Sequence, residues 1–363
     1  MFICFLGGPA SPIAEAAVVH HQPTMHRALS SIEIEGSPGM PVTLTGTGIL
    51  TFEDGSWYDG SYEDGQMHGN GILHYNNGSI YEGEFVHNME HGMGSYHFAS
   101  GAAYHGMFAN GVRNGLGEYI HPNGDVYVGF HENNQMHGRG SYRFSDGTIY
   151  EGDFIQGKKC GLGILRFRGG DIYEGEWVDD RKHGHGTYTF ANKDTYIGAF
   201  VNGKWHGLGV FTSCKGTVYD GEWCEGVIHG TGHYKYVSGN EYYGQFCYGE
   251  KHGSGVMIYA EGSRYHGEYA HNKKHGQGRF DYVIGDSYTG EWQDGLKHGY
   301  GVYTYANGDI FQGRFEAGKI IGEGVLKSPN GNITAGEFVE EVRLEGNAVV
   351  AVGGGGSADN SAE

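Results

Sequence analysis

The stretch Tyr288–Ile310 reads YTGEWQDGLKHGYGVYTYANGDI. Its skeleton is Tyr-x-Gly-x-Trp, a polar loop, His-Gly-x-Gly-x-Tyr-x-Tyr, then Asn-Gly. The same skeleton begins at Tyr58, Tyr81, Tyr104, Tyr127, Tyr150, Tyr173, Tyr196, Tyr219, Tyr242, Tyr265, Tyr288 and Phe311, always 23 residues after the previous start. A fixed period of this length marks a repeat architecture, in which each unit is one supersecondary element stacked on the next.

With the opening Tyr as position 1, positions 1, 3 and 5 hold Tyr, Gly and an aromatic residue. Positions 12, 14, 16 and 18 hold Gly, Gly, an aromatic or aliphatic residue and usually an aromatic one. Alternation with period two belongs to strands, so each unit is expected to carry two strands with one aromatic-glycine face. Asn-Gly at positions 20 and 21, as at Asn77-Gly78 and Asn307-Gly308, predicts a two-residue hairpin loop with positive φ at both residues. Positions 6 to 11 are expected to form a longer polar loop. Glycines at 3, 12 and 14 would let rings lie flat on the backbone. The expectation is an all-β fold, an elongated single-sheet antiparallel β-hairpin repeat rod twisted into a trough. About 25 strands at ~4.8 Å would run roughly 120 Å.

Outward from the repeats, the pattern enters at Thr45. Residues 45–338 are expected to be the array: a half repeat, twelve full repeats and a half repeat. Residues 1–44 hold five of the seven prolines and read as a flexible leader. Residues 339–363, ending GGGGSADNSAE, read as a mostly flexible tail, with a last strand expected within 347–352. The net charge of -19 over 363 residues argues against nucleic acid as a partner. Cys4, Cys160, Cys214, Cys224 and Cys247 are odd in number and form no spaced framework, so they are expected to be free thiols in a reducing compartment. No apolar run approaches the ~18 residues of a membrane span, and no signal peptide is read at the start. The expected location is cytoplasmic.

Tyr-x-Gly-x-aromatic, a loop, His-Gly-x-Gly and a trailing Asn-Gly at this spacing resemble the MORN repeat. Tyr173-Glu-Gly-Glu-Trp177 and Lys297-His-Gly-Tyr-Gly301 carry the pattern as they stand. The resemblance implies stacked β-hairpins. No appended kinase or methyltransferase domain and no membrane anchor is expected, so the chain is most similar to the repeat-only scaffolds of the cytoskeleton and of cilia and flagella. That implies a non-enzymatic protein without cofactors. It also implies cytoskeletal or axonemal protein partners, a homodimer, and a cytoskeleton-associated location in the cytoplasm. The sequence departs from the pattern in Tyr127-Val-Gly-Phe-His131, where His takes position 5 and the aromatic moves to Phe130. Asn114, Cys160 and Ile321 replace the usual His, and Lys193 replaces the turn Gly. These read as tolerated variants, with local bends as the alternative.

Tyr173, Trp177, Tyr219, Trp223, Tyr288 and Trp292 are expected to build the structural aromatic face. Position 11 is His at His68, His91, His137, His183, His206, His229, His252, His275 and His298. Equivalent positions would stand ~9–10 Å apart, whereas zinc holds nitrogens at ~2 Å, so no metal is expected. Positions 9 and 10 carry Lys158, Lys159, Arg181, Lys182, Lys204, Lys251, Lys273, Lys274, Lys297 and Lys319. This row reads either as a solvated rim or as an edge that binds anions. In the second case the partner would be an anionic phospholipid, and the alternative function a phosphoinositide-binding module. Acids at positions 2 and 4 (Asp59, Glu82, Glu84, Glu151, Asp153, Glu174, Glu176, Asp220, Glu222, Glu268, Glu291) fall on the opposite face. They recur as a surface pattern, which argues against a dedicated acid/base couple. Gly-x-x-x-x-Gly-Lys is absent, and no catalytic residue is assigned. A glycan-binding reading of the aromatics would need a secretory route.

Overall fold

The computed structural model describes residues 29–32, 45–339, 342–345 and 348–351. The chain divides into two units, Met1–Ser145 and Asp146–Glu363. Among the described residues all regular structure is strand. Each unit is an antiparallel meander of the same hairpin.

The second repeat shows the hairpin. Strand Ile80–Val86 pairs with Met89–His97 through Tyr81↔Tyr96 and Gly83↔Gly94. Met89–His97 then pairs with Ala103–Ala109 through Tyr96↔Tyr104 and Gly94↔Gly106. Rings face rings and glycines face glycines, as the period-two pattern requires. In the first unit this meander runs from Gly46–Phe52 to Gln135–Arg143. Leu29–Ile32, inside the stretch read as a leader, pairs with Gly46–Phe52. In the second unit it runs from Ile149–Ile155 to Ile333–Val339, and Val342–Glu345 and Ala348–Ala351 extend it by two strands. The flexible character expected for the leader and tail concerns residues 1–28, 33–44 and 352–363, which lie outside the described residues.

The two turns are the reverse of the expectation. Positions 6 to 11 do not form a long loop. Their strands continue to positions 6 and 9, as in Ile155↔Lys158, leaving two residues between. Both of those residues take positive φ in every repeat, for example Asp64 (50°) with Gly65 (77°) and Asn202 (51°) with Gly203 (85°). This is the turn whose twist matches paired strands. At the Asn-Gly end only position 21 is left-handed, as at Gly78 (87°). The Gly78 amide donates to the Tyr75 carbonyl, and the Tyr75 amide donates to the Ser79 carbonyl. That is a tight turn over positions 19 and 20 followed by a glycine bulge. The Asn77 side chain accepts from the Ser79 amide at 2.9 Å, so Asn serves as a turn-closing acceptor and not as a left-handed residue. Pro122 sits at the first turn position, where its fixed φ suits the bend.

The glycines also divide. Those at 3 and 14 lie beneath the position 1 ring: a Cβ on Gly301 would stand 2.5 Å from Tyr288 ring atoms. Position 12 is not under a ring. It has positive φ in every repeat, as at Gly184 (57°), and sits in a second bulge, where the register shifts between Gly175 and Glu176. One extra stretch on the second strand leaves the position 4 carbonyl without a ladder partner. The position 1 hydroxyl supplies it. Tyr173 donates to the Glu176 carbonyl at 2.9 Å, Tyr219 to Glu222 at 2.9 Å and Tyr288 to Glu291 at 2.9 Å. Position 1 is fully buried in all twelve repeats. The Tyr of the first eleven repeats is therefore a pillar with a polar tip, and burial pushes its hydroxyl pKa up.

Candidate binding faces

The first candidate face is the ring face. A position 1 ring stands edge-on to two position 5 rings, its own and the next repeat's, as at Tyr173, Tyr219 and Tyr288. Tyr173 lies 5.3 Å from Trp177 and 5.0 Å from Phe200. Tyr219 contacts Trp223 and Phe246 at 5.1 and 5.4 Å. Tyr288 contacts Trp292 and Phe315 at 5.3 and 4.9 Å. The indole N–H of Trp177, Trp223 and Trp292 donates to a glycine carbonyl of the preceding repeat at 3.2, 3.0 and 3.2 Å. Tyr173, Trp177, Tyr219, Trp223, Tyr288 and Trp292 are all buried among these rings.

The basic row expected as one edge separates into two faces. Position 10 pairs with position 5 and position 9 with position 6, as in Trp177↔Lys182 and Val178↔Arg181, so neighbours in sequence point to opposite sides. Lys159, Lys182, Lys251, Lys274 and Lys297 therefore join the ring face. The Lys182 ammonium lies 4.4 Å from the Tyr188 ring, with Phe167 and Tyr173 at 5.1 and 5.2 Å. Lys274 lies 4.4 Å from Phe280 and 4.8 Å from Trp292, and Lys297 lies 4.9 Å from Tyr303. Lys251 stands within 5.8 Å of Tyr236, Tyr242 and Tyr269. These are cation–π contacts among partly desolvated groups. Burial holds Lys182 and Lys251 down to about 8, with neighbouring Lys274 adding to the effect on Lys251. In the first unit, position 10 carries Glu90, which accepts from the Tyr75 hydroxyl, and Arg113, 4.5 Å from the Tyr119 ring.

Lys158, Lys204 and Lys273, from position 9, instead reach an acid of the next turn: Asp179 at 3.0 Å, Glu225 at 2.5 Å and Asp294 at 3.0 Å. Arg181 and Lys319 occupy the same exposed position. Such exposed pairs contribute little to stability, but they offset the charge of Lys158, Lys204 and Lys273.

The opposite face carries the acids. Position 2 is exposed at Asp59, Glu82, Glu151, Glu174 and Asp220. Position 4 has a local task that its spacing did not reveal. Its carboxylate folds over the position 12 bulge and accepts the position 13 amide: Glu176 from His185 at 2.8 Å, Glu222 from Thr231 at 2.8 Å, Glu291 from Tyr300 at 3.0 Å. The Thr231 hydroxyl and amide hold the Glu222 carboxyl below its ordinary range. Four repeats place Asn or Asp in place of Gly at position 8, and each of these side chains reaches back to a position 10 amide. Asn88 accepts from Met67 at 2.8 Å, Asn134 from Arg113 at 2.9 Å, Asp180 from Lys159 at 3.0 Å and Asn272 from Lys251 at 2.8 Å. The sequence signal was the restriction of position 8 to Gly, Asn and Asp.

His68 and His137 face Glu63 and Glu132 at 3.7 and 3.2 Å. Among the described residues no three His, Cys, Asp or Glu side chains converge on a metal site. Cys160, Cys214, Cys224 and Cys247 are free thiols.

Two of the departures keep the repeat backbone. His131 occupies the position 5 slot, 1 % exposed, 4.9 Å from Tyr104 and 5.0 Å from Tyr127. Burial, with the Arg113 charge, holds its imidazole down to about 3. Register through Tyr127↔Tyr142 and Gly129↔Gly140 is that of other repeats. Lys193 takes the left-handed turn position with φ 76°.

The family described as MORN repeat matches residues 58–80, 81–103, 104–126, 127–149, 150–172, 173–195, 196–218, 219–241, 242–264, 265–287, 288–310 and 311–333. No curated protein matches the chain. Among solved structures, the SAS-4 (dCPAP) TCP domain of Drosophila melanogaster, in complex with a proline-rich motif of Ana2, is 12% identical, covering 42% of this chain and 84% of that one at TM-score 0.29. The G-box domain of the microcephaly protein CPAP is 10% identical, covering 55% and 97% at TM-score 0.32. The TCP10 domain of Danio rerio CPAP is 11% identical, covering 80% and 99% at TM-score 0.14. At these scores the likeness carries no argument.

Proposed function

We propose that this chain, which belongs to the MORN-repeat family, is a non-enzymatic scaffold that gathers protein partners along its repeats. The family indicates a repeat protein of the kind that binds proteins or membranes. The partners are taken to be cytoskeletal or axonemal proteins, the location cytoplasmic, and the working form a homodimer.

The observation that carries this reading is the distribution of contact groups. Lys251, Lys274 and Lys297 stand on rings in three successive repeats, and Glu176, Glu222, Glu268 and Glu291 recur over their bulges. Chemistry repeated once per hairpin suits an extended partner held by many weak contacts, and catalysis instead needs unlike groups converging on one reacting atom.

A fluorescently tagged chain expressed in its own cell tests the reading. A discrete cytoskeletal or axonemal pattern is the expected result, and uniform plasma-membrane staining overturns it. Sedimentation equilibrium should give twice the 39.5 kDa chain mass.

A phosphoinositide module is the second reading, favoured by the lysines gathered on the ring face of the second unit. Flotation with vesicles of phosphatidylcholine alone or with phosphatidylinositol bisphosphate separates the two. Salt-sensitive flotation only with the anionic lipid, lost in the Lys251→Gln/Lys274→Gln/Lys297→Gln variant, is what this second reading requires.

A further inference from the structure

We infer that the face opposite the rings docks a basic amphipathic segment of a partner protein across the second to fourth repeats. Position 4, an acid or another polar or small residue elsewhere, is Met107 in the third repeat and Phe130 in the fourth. Met107 pairs directly across from Met93, and Phe130 from Leu116. A Cβ on Gly115 would stand 2.8 Å from the Met107 Cβ, so Met107 leans over its own bulge beside Leu116. The four side chains thus form one continuous row across four strands, about 15 Å long at strand spacing. They are exposed by 58% (Met93), 39% (Met107), 67% (Leu116) and 39% (Phe130), with Val128 beside them at 51%. An apolar patch of this kind on a solvated face marks an interaction site.

Charge selects the occupant. The carboxylate of Glu84, the position 4 acid of the same repeat, lies over Gly92, the residue before Met93. Along the flank, Glu82 pairs with Ile72, and Glu118 pairs with Val128. A segment that buries apolar anchors here sets its flanking side chains against Glu82, Glu84 and Glu118, which favours Lys and Arg at those places. A second copy would bring the same carboxylates against each other, and an anionic membrane would be repelled by them. Helical spacing of anchors at i, i+4 and i+7 spans ~10 Å and fits the row. The inference rests on the scaffold reading only in taking the occupant to be a protein.

The test uses the full chain and an 18-residue helical peptide of leucine and lysine, with its leucine and glutamate counterpart as control, read by fluorescence anisotropy. The Met107→Glu/Phe130→Glu variant gives these repeats the residue that Glu84 and Glu222 already supply, so it retains the fold. It also adds negative charge, so nonspecific attraction of the basic peptide would rise. A loss of tenfold or more in affinity is expected, and the acidic peptide should bind neither protein. Leu116→Ser, at an exposed position, should weaken binding in the same direction. Equal affinity for wild type and variant, or equal binding of the two peptides, overturns the inference. So does a fall of the wild-type dimer to monomer in the variant by sedimentation, which would make the second copy the occupant. A diffuse location in the cell would sink the scaffold reading while leaving this peptide result standing.

Discussion

The fourth repeat and the eleventh share a backbone and exchange their chemistry. In the eleventh, Trp292 is buried in the ring slot and Glu291 caps the bulge. In the fourth, His131 is buried in the slot and Phe130 stands outside. Register and turns are nevertheless the same: Tyr127↔Tyr142 and Gly129↔Gly140 repeat Tyr288↔Tyr303 and Gly290↔Gly301. The fold therefore rests on the position 1 ring, the facing glycines and the left-handed turn residues. Positions 4, 5, 10 and 13 change their chemistry between repeats while this skeleton is kept.

The largest expected effect breaks what the two repeats share. Gly301→Val and Gly140→Val each place a Cβ within 2.5 Å of a pillar ring, Tyr288 and Tyr127 respectively. Tyr288 is held edge-on by Trp292 and Phe315, and Tyr127 by His131, which resists displacement of either ring. Each variant should lose ~3 kcal/mol or more in urea unfolding. A large loss in one repeat and a small one in the other would refute the common skeleton.

The next sharpens the difference. His131 buries Nδ1 without a hydrogen-bond partner, and a buried unsatisfied polar atom costs ~1–3 kcal/mol. His131→Phe should stabilise by about 1–2 kcal/mol on that account. It should also alter the acid limb. Because the folded imidazole is held down to about 3, the unfolded chain takes up the proton first. Stability from the neutral ring is present above the ordinary histidine pKa near ~6.5 and is lost as pH falls from there toward 3. In the Phe variant that part of the decline should vanish. A stability difference between the two proteins that stays constant from pH 7 to pH 4 would refute the buried neutral histidine.

Much of this was legible. The 23-residue period, the two strands and the ring face follow directly from Tyr, Gly and aromatic alternation. The turns were misjudged because Asn-Gly occurs at both ends of the hairpin. Asn110-Gly111 and Asn202-Gly203 at positions 7 and 8 carry the same signal as Asn77-Gly78, and only the former pair is left-handed at both residues. Alternation also fails where a bulge inserts residues, so position 12 was assigned to the wrong face. The basic row was read as one edge because adjacent positions look like one cluster in sequence, whereas a strand sends them to opposite sides.

A smaller effect returns to the shared skeleton. Tyr127 and Tyr288 donate to the position 4 carbonyl at 2.8 and 2.9 Å. Tyr→Phe at either should cost ~1 kcal/mol, the net value of one hydrogen bond, and equally in both repeats. The twelfth repeat shows that the ring alone suffices for packing, since Phe311 is fully buried there. A cost above that of Gly301→Val would mean that the hydroxyl, and not the ring, holds the pillar.

The smallest effect concerns position 4, where the two repeats differ most visibly. Glu291 accepts the Tyr300 amide, and Gln245 accepts the Ser254 amide at 2.9 Å in the same geometry. The task is hydrogen-bond acceptance, so Glu291→Gln should be close to neutral and Glu291→Leu should cost ~0.5–1 kcal/mol. Charge enters only through pH. In the eighth repeat the Thr231 hydroxyl and amide keep the Glu222 carboxyl below its ordinary value. Its contribution is therefore complete above the unfolded carboxyl pKa near ~4.3 and is lost as pH falls through the lower folded value. Glu222→Gln should remove that part of the acid decline while melting like wild type at pH 7. If the Gln variant instead melted as low as Glu222→Leu at neutral pH, the carboxylate's charge would matter more than its lone pairs. Phe130 would then sit in the fourth repeat at a real cost in stability, which a retained docking role would have to explain.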